Sequence, residues 1–222
     1  MASHRTQPRA QVQGVALIEQ VIARVREEPD AIAGFCGERP LRQPRPISAD
    51  VLERLTFPSG KALPPSLQRW LAFDASWLAE LGWFSSVEPP VFTPRRLDEI
   101  VQAEFDMWGD FYEPLGGRLA ECFLLPGGSD SRRIYAVTEE ADALGEYPVL
   151  VVDTDDLPYA AVMYPGFDVF MADEAGLDTC ISGTYEDLHD DPRYAARMAA
   201  HAHQLFNGKR GIEIGDEEWG GV

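Results

Sequence analysis

The apolar pattern changes character near residue 120. Upstream of that point hydrophobic residues recur every three or four positions, whereas downstream they come in short runs separated by turn residues. Over residues 14–28 the stripe Val15, Ile18, Ile22 and Val25, supported by Leu17 and Val21, predicts an amphipathic helix that Pro29 ends. Glycines and prolines between Pro29 and Pro46 read as loop, and Ser48 stands where it can cap a short helix beginning Ala49-Asp50-Val51-Leu52. Residues 63–78 predict one longer helix with prolines in its first turn and Leu67, Trp70, Leu71, Trp77 and Leu78 on its buried side. A further helix follows Pro94, from residue 95 to about 108, with Leu97, Ile100, Val101, Glu104 and Phe105 near helical spacing.

Beyond Leu119 five apolar runs read as strands: residues 121–125, 132–137, 148–153, 159–164 and 168–172. Their links are too short for helical crossovers, so the strands are expected to pair antiparallel, through turns such as Gly127-Gly128-Ser129-Asp130 and the one after Asp153. An Ala-rich helix over 191–206, closed by Asn207-Gly208, completes the pattern. The expectation is an α+β fold: an antiparallel sheet of five or six strands against flanking helices. Residues 1–12 read as a flexible leader and 13–222 as one domain with extra helices at each end.

Composition adds a charge asymmetry. The 222 residues carry a net charge of −18, yet residues 1–138 hold 18 acids and 15 bases. The rest holds 19 acids against Arg193, Arg197, Lys209 and Arg210 alone. Such a field attracts cationic partners and disfavours nucleic acid, since neutralising phosphates requires a basic stripe that the isolated pairs Arg95-Arg96 and Arg132-Arg133 do not make. Acidity that simply keeps the protein soluble is the alternative. A hydrophobic fraction of 45% supports an ordinary packed core. The N-terminus lacks a secretory apolar run and no stretch suits a membrane span, so a cytoplasmic protein is expected. Cys36, Cys122 and Cys180 are odd in number and widely spaced, which fits neither a disulfide framework nor a zinc pair.

Candidate chemistry is sparse. Asp153-Thr154-Asp155-Asp156 is the tightest carboxylate group and has the hard oxygens that magnesium, manganese or calcium prefer. A metal-dependent transferase or hydrolase built on Asp153, Asp155 and Asp156 is therefore one reading. Against it, Leu157-Pro158 stands where a calcium loop needs ligands and glycine, no strand–glycine–helix unit would hold a nucleotide, and a solvated hairpin turn explains the aspartates more simply. His189, His201 and His203 lack the i,i+4 spacing of a helical zinc pair and read as helix-surface residues. No serine elbow, phosphate loop or sequence-adjacent Cys–His pair occurs. The expectation is a binding protein with no catalytic residues, no metal and no cofactor. Its candidate partner-binding set is Asp153, Asp155, Asp156, Glu186, Asp187, Asp190 and Asp191, with Tyr159, Tyr164 and Tyr185 as possible anchors among them.

Two stretches resemble the SUKH superfamily, best known as bacterial toxin-immunity proteins. Leu63-Pro64-Pro65-Ser66-Leu67-Gln68-Arg69-Trp70-Leu71 is similar to that family's Leu-Pro-Pro helix, and residues 148–172, PVLVVDTDDLPYAAVMYPGFDVFMA, to its strand, acidic turn, strand and short final strand entering a helix. Phe73-Asp74-Ala75-Ser76 replaces the family's Asn-Gly-Gly turn, and its aromatic-acidic closing segment is not evident after Ala172. The resemblance, over residues 50–180, implies a non-enzymatic immunity protein that binds and neutralises a cognate toxin, often a nuclease or deaminase. It leaves open a regulatory protein-interaction role and transfers no interface residues, because members vary their binding surface.

Overall fold

The computed structural model describes residues 12–32, 43–127, 131–154, 158–177 and 184–214. In chain order the first half gives helices α1 (Val15–Glu27), α2 (Ala49–Leu52), α3 (Pro65–Leu71) and α4 (Ser76–Glu80), a hairpin of β1 (Phe84–Val87) and β2 (Pro90–Phe92), then α5 (Leu97–Phe105) and α6 (Gly109–Arg118). The second half gives β3 (Cys122–Leu125), β4 (Ser131–Ala136), β5 (Val149–Asp153), β6 (Tyr159–Tyr164), α7 (Phe167–Glu174), α8 (Asp187–Asp190), α9 (Ala195–Phe206) and β7 (Gly211–Glu213). Strands β3 to β7 form one antiparallel sheet in sequence order, an α+β arrangement; short connections join β3 to β6, and β7 comes beside β6 only after α7, α8 and α9. Val149 to Val152 and Ala160 to Tyr164 are buried without alternation, so both faces of the central strands are covered. No helix among the described residues is long and apolar enough to cross a membrane.

Four expected strands form within a residue or so of their predicted limits, and the fifth does not. Residues 168–172 lie in α7, where Phe167 to Ala172 are all buried. A run apolar on every side carries no period, so the sequence alone cannot separate a buried strand from a buried helix. The long helix over 63–78 is two helices instead. Asp74 interrupts it, fully buried, accepting bonds from Trp77 N (2.8 Å), Ser76 Oγ (2.6 Å) and Arg45 N (2.8 Å). An aspartate that caps the next helix opposes continuation of the last one. Gly116 and Gly117 sit inside α6, whose Gly109 lies so close to α5 that a Cβ there would stand 2.7 Å from Gln102. The β1–β2 hairpin and three-residue β7 were not expected, being too short to show alternation.

One polar group ties α1, α3, α7 and α9 together. Arg197 of α9 pairs with Asp142 and, through Nη1 and Nη2 at 2.9 Å each, with Asp168 of α7. Asp168 also accepts the backbone N–H of Gly14, just before α1 (2.7 Å), and His201 Nε2 lies 3.1 Å from the Pro165 carbonyl. Glu146 accepts from Ser66 N (2.9 Å) and Ser66 Oγ (2.5 Å) on α3. Burial, reinforced by the nearby Asp168 charge, raises the Glu146 carboxyl to about 8. Asp142 is buried too, but the neighbouring His201 and the bonded Arg197 outweigh that and hold it at about 2. Gly166 makes room for this group: a Cβ there would sit 2.6 Å from both Arg197 Nη2 and Asp168 Oδ1. His201 is therefore a core residue (1% exposed) and not a surface one, while His203 is exposed as expected.

Candidate functional site

Antiparallel register places Ser131, Asp153, Tyr159 and Glu213 directly opposite one another across β4, β5, β6 and β7. Residues opposed in this way share a sheet face. The row therefore puts two carboxylates, a phenol and a hydroxyl along one end of the sheet. Ser131 Oγ donates to Asp153 Oδ2 (2.9 Å), and Tyr185 OH donates to the same oxygen (2.7 Å) while touching Ser131. Tyr159 OH donates to Glu186 Oε1 at 2.5 Å. Burial, then the bond to Glu186 and the charges of Glu186 and Glu213, push the Tyr159 hydroxyl above its ordinary range, so it stays a donor at neutral pH. Gly211 of β7 makes the space for its ring.

Beneath the row, the buried Tyr112 of α6 holds the hairpin ends together. Its hydroxyl lies 2.9 Å from the Asp153 carbonyl and 3.0 Å from that of Tyr159, and accepts from Tyr159 N at 3.0 Å. The helix thus fixes where β5 ends and β6 begins, and burial raises this phenol as well. Sequence reasoning missed Tyr112 because it assigned no helix to residues 109–118.

The 184–191 segment lies alongside. Thr184 Oγ1 donates to Asp187 Oδ1 (3.0 Å). Asp190 is clasped by Arg210 at 2.5 and 2.7 Å, and Asp191 by Arg193, with a closest approach of 2.7 Å. Each arginine holds its carboxyl below the ordinary range. His189 is pulled below its usual value by burial first and then by Arg210.

Among the sequence-predicted residues, Asp153, Tyr159, Tyr185 and Glu186 come together at this sheet end. Asp187 begins α8 directly after Glu186, and Asp190 and Asp191 meet arginines. Asp155 and Asp156, central to the metal reading, lie outside the described residues, as do Cys36 and Cys180. Tyr164 is not a candidate anchor: it is fully buried, with its hydroxyl on Asp173 (2.7 Å). Cys122 is buried, and burial drives its thiol far from ionisation. Among the described residues no three His, Cys, Asp or Glu side chains cluster as metal ligands. A recess of about 760 Å³ beside the β1–β2 hairpin, lined by Arg45, Ile47, Val51, Glu88 and Pro90 among others, gathers none of the predicted residues.

No family model matches the chain, and no curated protein matches it. It is similar to a crystal structure of an uncharacterized protein from Salmonella enterica subsp. enterica serovar typhimurium, with a TM-score of 0.57 and 20% identity. The likeness covers 91% of this chain and 95% of that one. At this identity it speaks for the fold alone.

Proposed function

We propose that this protein is an immunity protein of the SUKH type, which binds and neutralises a cognate basic toxin of the nuclease or deaminase class. The observation that carries the reading is the sheet-end row, where Asp153, Glu186 and Glu213 surround the half-buried Tyr159 and Tyr185. Aromatic side chains ringed by carboxylates suit a cationic protein surface: the charges speed and orient the encounter, and desolvated rings hold the complex. The role needs no catalytic residue and no metal. Its natural setting is the cytoplasm of a cell exposed to the toxins of its neighbours.

The test is co-expression with each protein encoded by the adjacent genes, with cell growth and purified-pair kinetics as readouts. Rescue of growth and tight binding are expected. Changing Glu186 and Asp187 to lysine should slow association and flatten its salt dependence. Absence of both rescue and binding would dismiss the immunity role. Binding with an unaltered association rate and salt slope would make the row a bystander.

A further inference from the structure

We propose that the corner between α5 and α6 is the apolar anchor of this protein's contact with its basic partner, an assignment that rests on the binding reading above and adds the face that supplies its affinity. Met107 and Phe111 are 70% and 51% exposed, more than any other large hydrophobic residue among those described. Trp108 packs on Phe111 with ring centroids 5.2 Å apart, so the two aromatics form one ridge. Apolar side chains held in water are a standing cost that a partner relieves by covering them.

The corner is braced. Asp106 ends α5 in the left-handed region (φ 63°), and the Gln102 side chain spans the turn, donating to the Asp106 carbonyl at 2.7 Å and accepting Gly109 N–H at 3.1 Å. A ridge already fixed in place loses little conformational freedom on docking. It also belongs to the same end of the molecule as the acidic row. Arg132, next to Ser131 on β4, pairs with Glu104 at 2.8 Å and lies over the Phe105 ring at 5.4 Å.

Charge selects the occupant. Residues 97–117 contain six acids and no base. Asp106 and Asp110 flank the ridge, are exposed, and form no ion pair among the described residues. Nucleic acid and anionic membranes are repelled by this setting. A second copy related by a two-fold axis would bring the same carboxylates against themselves. What fits is a protein surface with an apolar recess rimmed by lysine or arginine. Sequence reasoning passed over the corner because its predicted helix runs on to about residue 108 and assigns nothing beyond, whereas α5 ends at Phe105.

The experiment takes the toxin identified by the co-expression test, inactivated, and measures its binding to wild type, Met107→Ser, Phe111→Ser, the double variant and Asp106→Lys/Asp110→Lys. Each single serine variant should weaken affinity roughly tenfold or more, the loss appearing mainly in dissociation. The double lysine variant should mainly slow association and flatten the salt dependence. Melting temperatures of the serine variants should stay near wild type, since Met107 and Phe111 are more than half exposed, while Asp106→Lys, at a left-handed position, should lower it slightly. Wild-type binding with dissociation unchanged in the double serine variant overturns the anchor while leaving the immunity role standing. Wild type that does not bind removes both. Sedimentation showing a wild-type dimer that the double serine variant dissolves would give the corner to a second copy and overturn the assignment.

Discussion

The Arg197 group and the Tyr159 row use the same chemistry, carboxylates bonded by hydroxyls and guanidinium groups, in opposite surroundings. In the first, Arg197, Asp142, Asp168, Glu146 and His201 are all under 10% exposed and join α1, α3, α7 and α9. In the second, Asp153, Tyr159, Tyr185 and Glu186 are only half-buried at a sheet end. Desolvated charges that lose a partner are left uncompensated, so the first group governs folding; partly wetted ones can exchange partners, so the second is suited to binding. The contrast also corrects simple charge counting. Asp142, Glu146 and Asp168 belong to the acidic last third but face inward, and Arg193, Arg197 and Arg210 are each ion-paired within it.

The sharpest way to break this comparison is Arg197→Met, which strands two buried carboxylates. A loss of about 3–5 kcal/mol is expected, lowering the melting temperature by about 10 °C for a domain of this size. Denaturant and thermal unfolding check it, and a loss below about 1 kcal/mol would mean that the group is not what closes the fold.

Next in size is the pH response of Glu146. Its carboxyl, ordinarily near 4.5, holds its proton in the folded state to about 8. The folded protein thus binds more protons than the unfolded chain in that window, and this contribution to stability must fall as pH rises from 4.5 to 8. Asp142 acts oppositely: its contribution is complete above 3.8 and is lost as pH falls towards 2. Glu146→Gln, which can keep both Ser66 contacts, should flatten the stability profile between pH 5 and 8 and leave the acid limb intact. An unaltered slope in that window would show that Glu146 is ionised in the fold.

At the sheet end, Tyr159→Phe removes the bond to Glu186 and should cost only about 1 kcal/mol, read by denaturant unfolding. Smallest of all, Asp190→Asn opens an exposed pair with Arg210 and should leave the melting temperature unchanged. A large effect there would erase the distinction between the two groups.

Antiparallel pairing of β3 to β6 was legible because they are apolar runs bounded by turn residues, and Asp153 and Tyr159 stand where two of them meet. α1 was legible from its stripe. α7 was not, since burial on all sides hides the period, nor was α6, where Gly109 and Gly116 serve close packing on α5 and weaken any helical signal. For the site, neighbours in sequence such as Glu186 and Asp187 could be named together. The links of Tyr112 to Asp153 and of Arg197 to Asp168 could not, because they span 41 and 29 residues and depend on packing that no local pattern encodes.

The bonds around α1 carry a consequence for the order of assembly during synthesis. Gln13 donates to the Arg193 carbonyl and accepts from Arg197, and Gly14 is held by Asp168, so the earliest helix is fastened by residues 154 to 184 positions later. At roughly 5–20 residues per second, translation takes on the order of ten to forty seconds to span that interval. Throughout it, the apolar stripe of Leu17, Ile18, Val21 and Ile22 lacks its final fastening. The stripe packs on α3 and α7, so a nascent chain halted before α7 leaves it partly uncovered and available to the chaperones that patrol the ribosome exit.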